Sequence, residues 1–148
     1  MLTDSLITLF NRDLNKLIDE ISLYKDETNL WITDGTISNS AGRLCIHLLG
    51  NLNHFIGAVL GKSGYVRQRD LEFSLVNVPA SELILQIEDT LIIVENTLKK
   101  LSVNELESEY ELQVFKEPMT TGYFLIHLSS HFAYHLGQIN YHRRLLDK

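Results

Sequence analysis

The chain has 148 residues, of which 45% are hydrophobic and 22% charged, and its net charge at pH 7 is −6. This length predicts a single domain over residues 1–148, with enough chain to bury a core. The negative charge argues against a nucleic-acid partner, because neutralising phosphates requires clustered lysine and arginine.

Helical periodicity begins at the N-terminus. Apolar residues recur at spacings of three and four over residues 2–31, which predicts a first long helix. A turn rich in glycine, asparagine and serine follows, and Ser38 or Ser40 can cap the next helix. The second helix is predicted over residues 41–60 and ends at the glycines that follow.

The second half of the chain predicts two more long helices. Residues 61–79 are rich in charge and glycine and predict a long ordered loop. Pro79, at its end, suits the first turn of a third helix that runs to about Leu101. Residues 108–118 alternate weakly and predict a short strand or an extended connection. The last helix begins near Thr120 or Thr121 and runs close to the C-terminus. Four amphipathic helices predict an all-α four-helix bundle, whose interior commonly holds metal sites.

The expected location is the cytoplasm. No apolar run reaches the roughly 18 residues of a membrane-spanning helix. The N-terminus carries acidic residues early and lacks the basic start of a signal peptide. The single cysteine, Cys45, excludes an intrachain disulfide and suits a reducing compartment.

The last helix carries the strongest functional signal. At about 100° per residue, one narrow stripe holds His127, His131, His135, Gln138 and His142. His131 and His135 stand at i and i+4, so their imidazoles can reach one cation. His127 and His142 flank the pair, and we interpret them as surface or hydrogen-bonded core residues. Gln138 is predicted to contact substrate, to orient a ligand, or to make an ordinary interhelical hydrogen bond.

A third ligand is available on the second helix. His47 lies on an apolar face that can oppose the last helix. His54 is two turns further, about 10 Å along the axis, so we expect it to face substrate, support a ligand or lie exposed. Cys45 points away from His47 around the helix and is interpreted as a core residue. Three histidines from two helices leave coordination positions open, which is typical of catalytic metal sites.

These residues resemble a known family. His47 on the second helix and the run His131-x-x-x-His135-Leu-Gly-Gln138 on the last resemble the DinB/YfiT-like metalloenzymes, the damage-inducible DinB family. The segments HLLGNLNHFIGAVLG and YVRQRDLEF are especially similar to one uncharacterised branch of that superfamily.

The resemblance covers almost the whole chain and implies several properties. It implies a four-helix bundle, a homodimer, and a divalent metal such as nickel or zinc held by His47, His131 and His135. Some relatives transfer a low-molecular-weight thiol such as bacillithiol or mycothiol, and a related group isomerises maleylpyruvate with mycothiol. The resemblance therefore suggests thiol and electrophile substrates.

The loop after the second helix is a candidate substrate-binding element. Tyr65, Arg67 and Arg69 can hold the carboxylates of an acidic thiol, because arginine offers a bidentate fork. The alternative is that Arg67 and Arg69 form a surface ion-pair network with Asp70 and Glu72 that fixes the loop.

Three functions remain open from the sequence. The first is metal-dependent transfer of a small thiol to an electrophile, in detoxification or stress. The second is hydrolysis by metal-activated water, although the His-Glu-x-x-His spacing of metalloproteases is absent. The third is a bundle that binds metal without catalysis, or a dimerisation module.

Overall fold

A computed structural model describes all 148 residues and is entirely helical, which confirms the predicted all-α class. The helices, in chain order, are α1 (Leu2–Ser22), α2 (Ala41–Leu52), α3 (Arg69–Ser74), α4 (Ala80–Lys99), α5 (Val103–Glu107) and α6 (Thr121–Leu146). A 3₁₀ helix covers Glu27–Trp31, and α2 continues without a break into a π-helical segment over Asn53–Leu60.

The first helix is shorter than predicted. It ends at Ser22, and the residues up to Trp31 form a turn and the 3₁₀ helix instead of further α-helix. Asp26 caps the 3₁₀ helix by accepting from the Thr28 backbone N–H. The Asp147 carboxylate, from the other end of the chain, accepts from the backbone N–H of Lys25 at 2.6 Å. This contact joins the segment after α1 to the end of the chain.

The second helical segment has the predicted extent but a different second half. Ser40 caps α2 by accepting from the Arg43 backbone N–H, as one of the two predicted serines. From Asn53 onward the backbone widens into π-helical turns, and the Gly61 N–H bonds the Ile56 carbonyl at 2.9 Å. The angular positions expected for residues after Asn53 on a regular α-helix are therefore changed.

The two predicted connections differ in structure. The segment after α2, predicted as a long loop, holds the short helix α3, which packs against α2. The segment 108–118 is an extended connection with one isolated bridge between Glu109 and Thr120, so no strand forms. Pro79 stands immediately before α4, as its N-cap, because a proline has no N–H to contribute to a helix.

The long helices pack around one core. Helix α1 packs against α4 and α6, while α2 packs against α6, α3 and α4. The largest buried side chains come from several of these helices and include Phe10, Leu48, Phe124 and Phe132. No helix is long and apolar enough to cross a membrane. The contact between α2 and α6, beneath α3, is where the predicted ligands meet.

Candidate metal centre

The structure brings the three predicted metal ligands together. His47 of α2 faces His131 and His135 of α6, and one nitrogen from each ring lies within 4.8 Å of the others. The Nε2 atoms of His47 and His131 are 3.4 Å apart. Because His131 and His135 are one helical turn apart, their ring centroids are separated by only 4.5 Å. This group is one that can hold a metal ion.

A buried ion pair orients His47. Glu72 of α3 accepts from His47 Nδ1 at 3.1 Å, which leaves Nε2 facing the α6 histidines. Arg67 donates to both carboxylate oxygens of Glu72, from Nε at 2.8 Å and from Nη2 at 2.9 Å. Glu72 is only 3% exposed. A carboxylate behind a ligating histidine fixes the ring and increases its basicity, so this arrangement prepares His47 as a ligand.

Gly50 makes room for the Glu72 carboxylate. It lies on α2, three residues after His47, and α3 crosses directly over it. A Cβ at this position would lie 2.7 Å from Cδ of Glu72 and would also overlap its Oε2 atom. Any side chain larger than hydrogen therefore pushes the carboxylate away from His47.

Gln138 orients the second ligand. Its Oε1 atom accepts from His135 Nδ1 at 2.7 Å, one turn further along α6. Nδ1 is therefore occupied, and Nε2 of His135 is the nitrogen left for a metal. This geometry is the ligand-orienting role that was one of the three predicted for Gln138.

The environment favours the neutral form of two of the candidate ligands, His131 and His47. Burial, together with the neighbouring histidines, lowers the pKa of His131 to about 4. Burial also lowers the pKa of His47, against the opposing effect of its hydrogen bond to Glu72. Only neutral imidazole binds a metal, so these side chains need not lose a proton first.

The donor set fits a divalent transition metal with open positions. Three imidazole nitrogens suit zinc, nickel, copper or iron, whereas magnesium and calcium prefer oxygen. Structural zinc sites use four protein ligands, and three is the usual number at catalytic sites. Glu72 is bonded to His47 and Arg67 and is not a fourth ligand in this geometry.

The remaining predicted substrate residues differ in their relation to the centre. The Arg67 side chain is mostly buried and its guanidinium is bonded to Glu72, so of the predicted ion-pair network only this buried pair forms, without Arg69 or Asp70. Arg69 is exposed and makes no ion pair. His54 is partly buried beside the Phe55 ring, and burial together with the Arg67 charge lowers its pKa. Tyr65 is 39% exposed. Their roles toward substrate stay predictions.

The other histidines of the stripe belong to the packing. His142 is buried, and its Nε2–H donates to the Ile32 carbonyl at 2.8 Å while Nδ1 accepts from the Tyr24 hydroxyl at 2.6 Å. This confirms the expectation of a hydrogen-bonded core histidine. His127 packs edge-on against Phe115, with ring centroids 4.8 Å apart. Cys45 is fully buried, as expected of a core residue.

Two residues of α3 were not predicted at the centre. The sequence indicates Glu72 only as a surface ion-pair partner and gives no sign of Phe73, whose ring centroid is 5.4 Å from that of His47. Hydrophobic patterning works against finding Glu72, because Leu71 and Phe73 are 43% and 39% exposed while the acid between them is buried. The sequence signal that could have indicated Glu72 is its spacing from Arg67, an Arg-x-x-x-x-Glu pair in the segment that follows the helix carrying His47.

A cleft of about 510 Å³ borders the centre on the His135 side. It lies between the turn at residues 36–39 and the second half of α6. His135 and Gln138 form part of its wall, together with Tyr134 and Tyr141. No lysine, arginine, aspartate or glutamate lines it. The cleft therefore offers an uncharged binding surface beside a candidate metal ligand.

Comparison with known proteins places the chain in a family. A search of curated proteins found no match. A family model described as "Protein of unknown function (DUF1572)" matches residues 4–148, which is nearly the whole chain. The matched range includes all three histidines of the candidate centre. The chain belongs to the DUF1572 family.

Proposed function

We propose that this protein binds a divalent metal ion through His47, His131 and His135 and uses it to transfer a low-molecular-weight thiol to an electrophile. The observation that carries the proposal is the convergence of three imidazoles, with one nitrogen from each within 4.8 Å of the others, two of them oriented from behind by Glu72 and Gln138. A divalent ion held there favours the thiolate form of a bound thiol, which is its nucleophilic form.

The charge of the ligand set supports activation of a nucleophile. Imidazoles carry no negative charge, so they do not offset the charge of a divalent ion as thiolate or carboxylate ligands would. The nearest carboxylate, Glu72, is held by Arg67 in a bidentate pair and points toward His47 Nδ1. It is therefore not free to deprotonate a water molecule, which favours thiol transfer over hydrolysis.

The cleft beside His135 supports a site for the electrophile. Its lining is uncharged, with the phenol rings of Tyr134 and Tyr141 and the amide of Gln138. Such a surface suits an apolar or aromatic molecule with a few hydrogen-bonding groups. Arg69 and Tyr65 remain the proposed contacts for an acidic thiol such as bacillithiol, because both are exposed and Arg69 makes no ion pair within the protein.

We propose further that the fold is a four-helix bundle of the DinB/YfiT type and that the protein forms a homodimer. The packing of α1, α2, α4 and α6 around the core supports the bundle. The resemblance of the histidine motif to that family supports both proposals.

Metal content and thiol-dependent activity test the proposed function. Wild type and His131→Ala are purified from medium supplemented with zinc and nickel, and bound metal is measured by mass spectrometry. His127→Ala is the matched control, because it removes an imidazole one turn away that is not part of the ligand group. We expect metal in the wild type and the control, and loss of metal from His131→Ala.

Activity is then measured as thiol-dependent consumption of monobromobimane and, separately, as hydrolysis of an ester. We expect a thiol-dependent rate that is absent in His47→Ala. Equal metal content in wild type and His131→Ala contradicts the metal centre. A metal-loaded protein with no thiol-dependent rate above His47→Ala contradicts thiol transfer, and ester hydrolysis by the same protein would support the hydrolase instead.

A further inference from the structure

The third ligand, His131, lacks the outer hydrogen bond that the other two possess. His47 donates from Nδ1 to Glu72, and His135 donates from Nδ1 to Gln138. Nδ1 of His131 is buried and has no hydrogen-bond partner. Because Nε2 of His131 faces the other ligands, ligation through it requires the proton to be on this buried Nδ1 atom. That N–H needs an acceptor.

A buried acceptor without a partner exists on the facing helix. Asn51 is 8% exposed, and its Oδ1 atom has no hydrogen-bond partner. It stands four residues after His47 on α2, which places it on the same face one turn further along.

The register of the two helices places Asn51 opposite the turn of α6 that precedes His131, and a helical side chain leans toward the turn that precedes it. The ring centroid of His47 lies 5.3 Å from that of His131, and the Phe55 centroid lies 5.0 Å from that of Phe124. The helices are therefore antiparallel, and Asn51, midway between His47 and Phe55, lies opposite the stretch between Phe124 and His131.

The other buried polar atoms without partners do not fit this role. The Nε atom of Arg43 is a donor and cannot accept from an imidazole N–H. Asn11 is on α1, and its amide nitrogen bonds Glu95 of α4, on another side of the core. Asn51 is the acceptor on the α2 face that packs against α6.

We infer that Asn51 is the positioning residue of His131 and that its Oδ1 atom accepts from the Nδ1–H when the centre holds a metal. The inference rests on the proposed metal centre. It completes a set in which each of the three ligands has its own outer acceptor on a different chain segment: Glu72 on α3, Gln138 on α6 and Asn51 on α2. Loss of such an acceptor typically weakens metal binding by about 10- to 100-fold.

Zinc affinity, measured by competition with a chromophoric chelator, tests the inference. Asn51→Leu keeps the size of the side chain but removes the acceptor, and we expect affinity to fall by about 10- to 100-fold. Asn51→Asp keeps an acceptor and should retain at least wild-type affinity. Asn140→Leu is the control, since it removes a hydrogen-bonded amide from α6 that contacts Glu20 and not the centre.

Nitrogen-15 NMR of the histidine rings adds a readout in the wild-type protein, which does not depend on whether any variant folds. In zinc-loaded wild type, we expect ligation of His131 through Nε2 and a slowly exchanging Nδ1–H, which becomes fast-exchanging in Asn51→Leu. Ligation of His131 through Nδ1, or wild-type affinity in Asn51→Leu, overturns the role of Asn51 while leaving the metal centre intact. A wild type that binds no zinc overturns both.

Discussion

Glu72→Ala is predicted to destabilise the metal-free protein strongly. The substitution removes a carboxylate that is 3% exposed and is bonded to two partners, His47 and Arg67. It leaves the Arg67 guanidinium, whose side chain is 10% exposed, without a counter-charge. The loss therefore comes mainly from an uncompensated buried charge and not from lost packing.

The size of the effect follows from this burial. Removing one partner of a buried ion pair costs about 3–5 kcal/mol of unfolding free energy. Removing Arg67 as well should recover much of this loss, since no isolated charge remains. The double variant Arg67→Ala/Glu72→Ala is therefore expected to be destabilised by less than the sum of the two single variants, with a coupling of about 2 kcal/mol or more.

Urea unfolding of the metal-free proteins measures these free energies. Glu111→Ala is the matched control, because Glu111 forms an ion pair with Lys62 of similar length, 2.7 Å, but both side chains are more than half exposed. We expect the control to lose less than about 1 kcal/mol. Single-variant losses that add to within about 0.5 kcal/mol in the double variant would refute the claim that Arg67 and Glu72 act as one unit.

Three further predictions follow from the same geometry. Gly50→Ala displaces the Glu72 carboxylate and should weaken zinc binding by about 10- to 100-fold. Its control is Gly137→Ala, whose new Cβ meets nothing within 4 Å, and which should leave zinc binding unchanged and stabilise α6 by up to about 1 kcal/mol. Equal zinc affinity in the two variants would contradict the claim that the close approach of Glu72 to Gly50 supports metal binding. The lowered pKa of His131, about 4, means that the unfolded chain takes up a proton near pH 6.5 while the folded protein does not. The stability of the metal-free protein should therefore fall as pH drops from about 6.5 to about 4, with a smaller fall in His131→Ala; identical urea midpoints across this range for wild type would show the reasoning to be wrong. Tyr24→Phe removes a hydroxyl that is hydrogen-bonded to the buried His142, and it should lower the free energy of unfolding in urea by about 1–3 kcal/mol without changing zinc affinity. A loss of zinc affinity in Tyr24→Phe would contradict this assignment and show that Tyr24 and His142 support the metal centre.

Local sequence patterns predict much of the arrangement of the three candidate ligands. The i and i+4 spacing of His131 and His135 on a periodic helix is sufficient to place both rings on one face. The same periodicity places His47 on a face of α2 that packs against α6. The α-helical class and the beginnings of α2 and α6 follow from capping residues and apolar spacing, which are local properties.

The parts that the sequence did not predict depend on distant contacts. Helix α1 ends at Ser22, and the backbone just after it donates to Asp147, which comes from the last residues of the chain. Helix α3 is six residues long, too short for a reliable period, and its buried residue is the acid Glu72. The Glu72 side chain is buried because Arg67 and His47 donate hydrogen bonds to its carboxylate. Gly50, which has no side chain, leaves the space that the carboxylate occupies. Such a site is visible only after α2 and α3 are packed together.

X-ray absorption spectroscopy of the zinc-loaded protein tests the central claim most directly. Ligation by His47, His131 and His135 predicts three imidazole nitrogens at about 2.0–2.1 Å, with at least one further light atom. Addition of a small thiol should replace that atom by sulfur at about 2.3 Å. A shell of oxygen atoms without imidazole scattering, or an unchanged spectrum in His131→Ala, would contradict the metal centre.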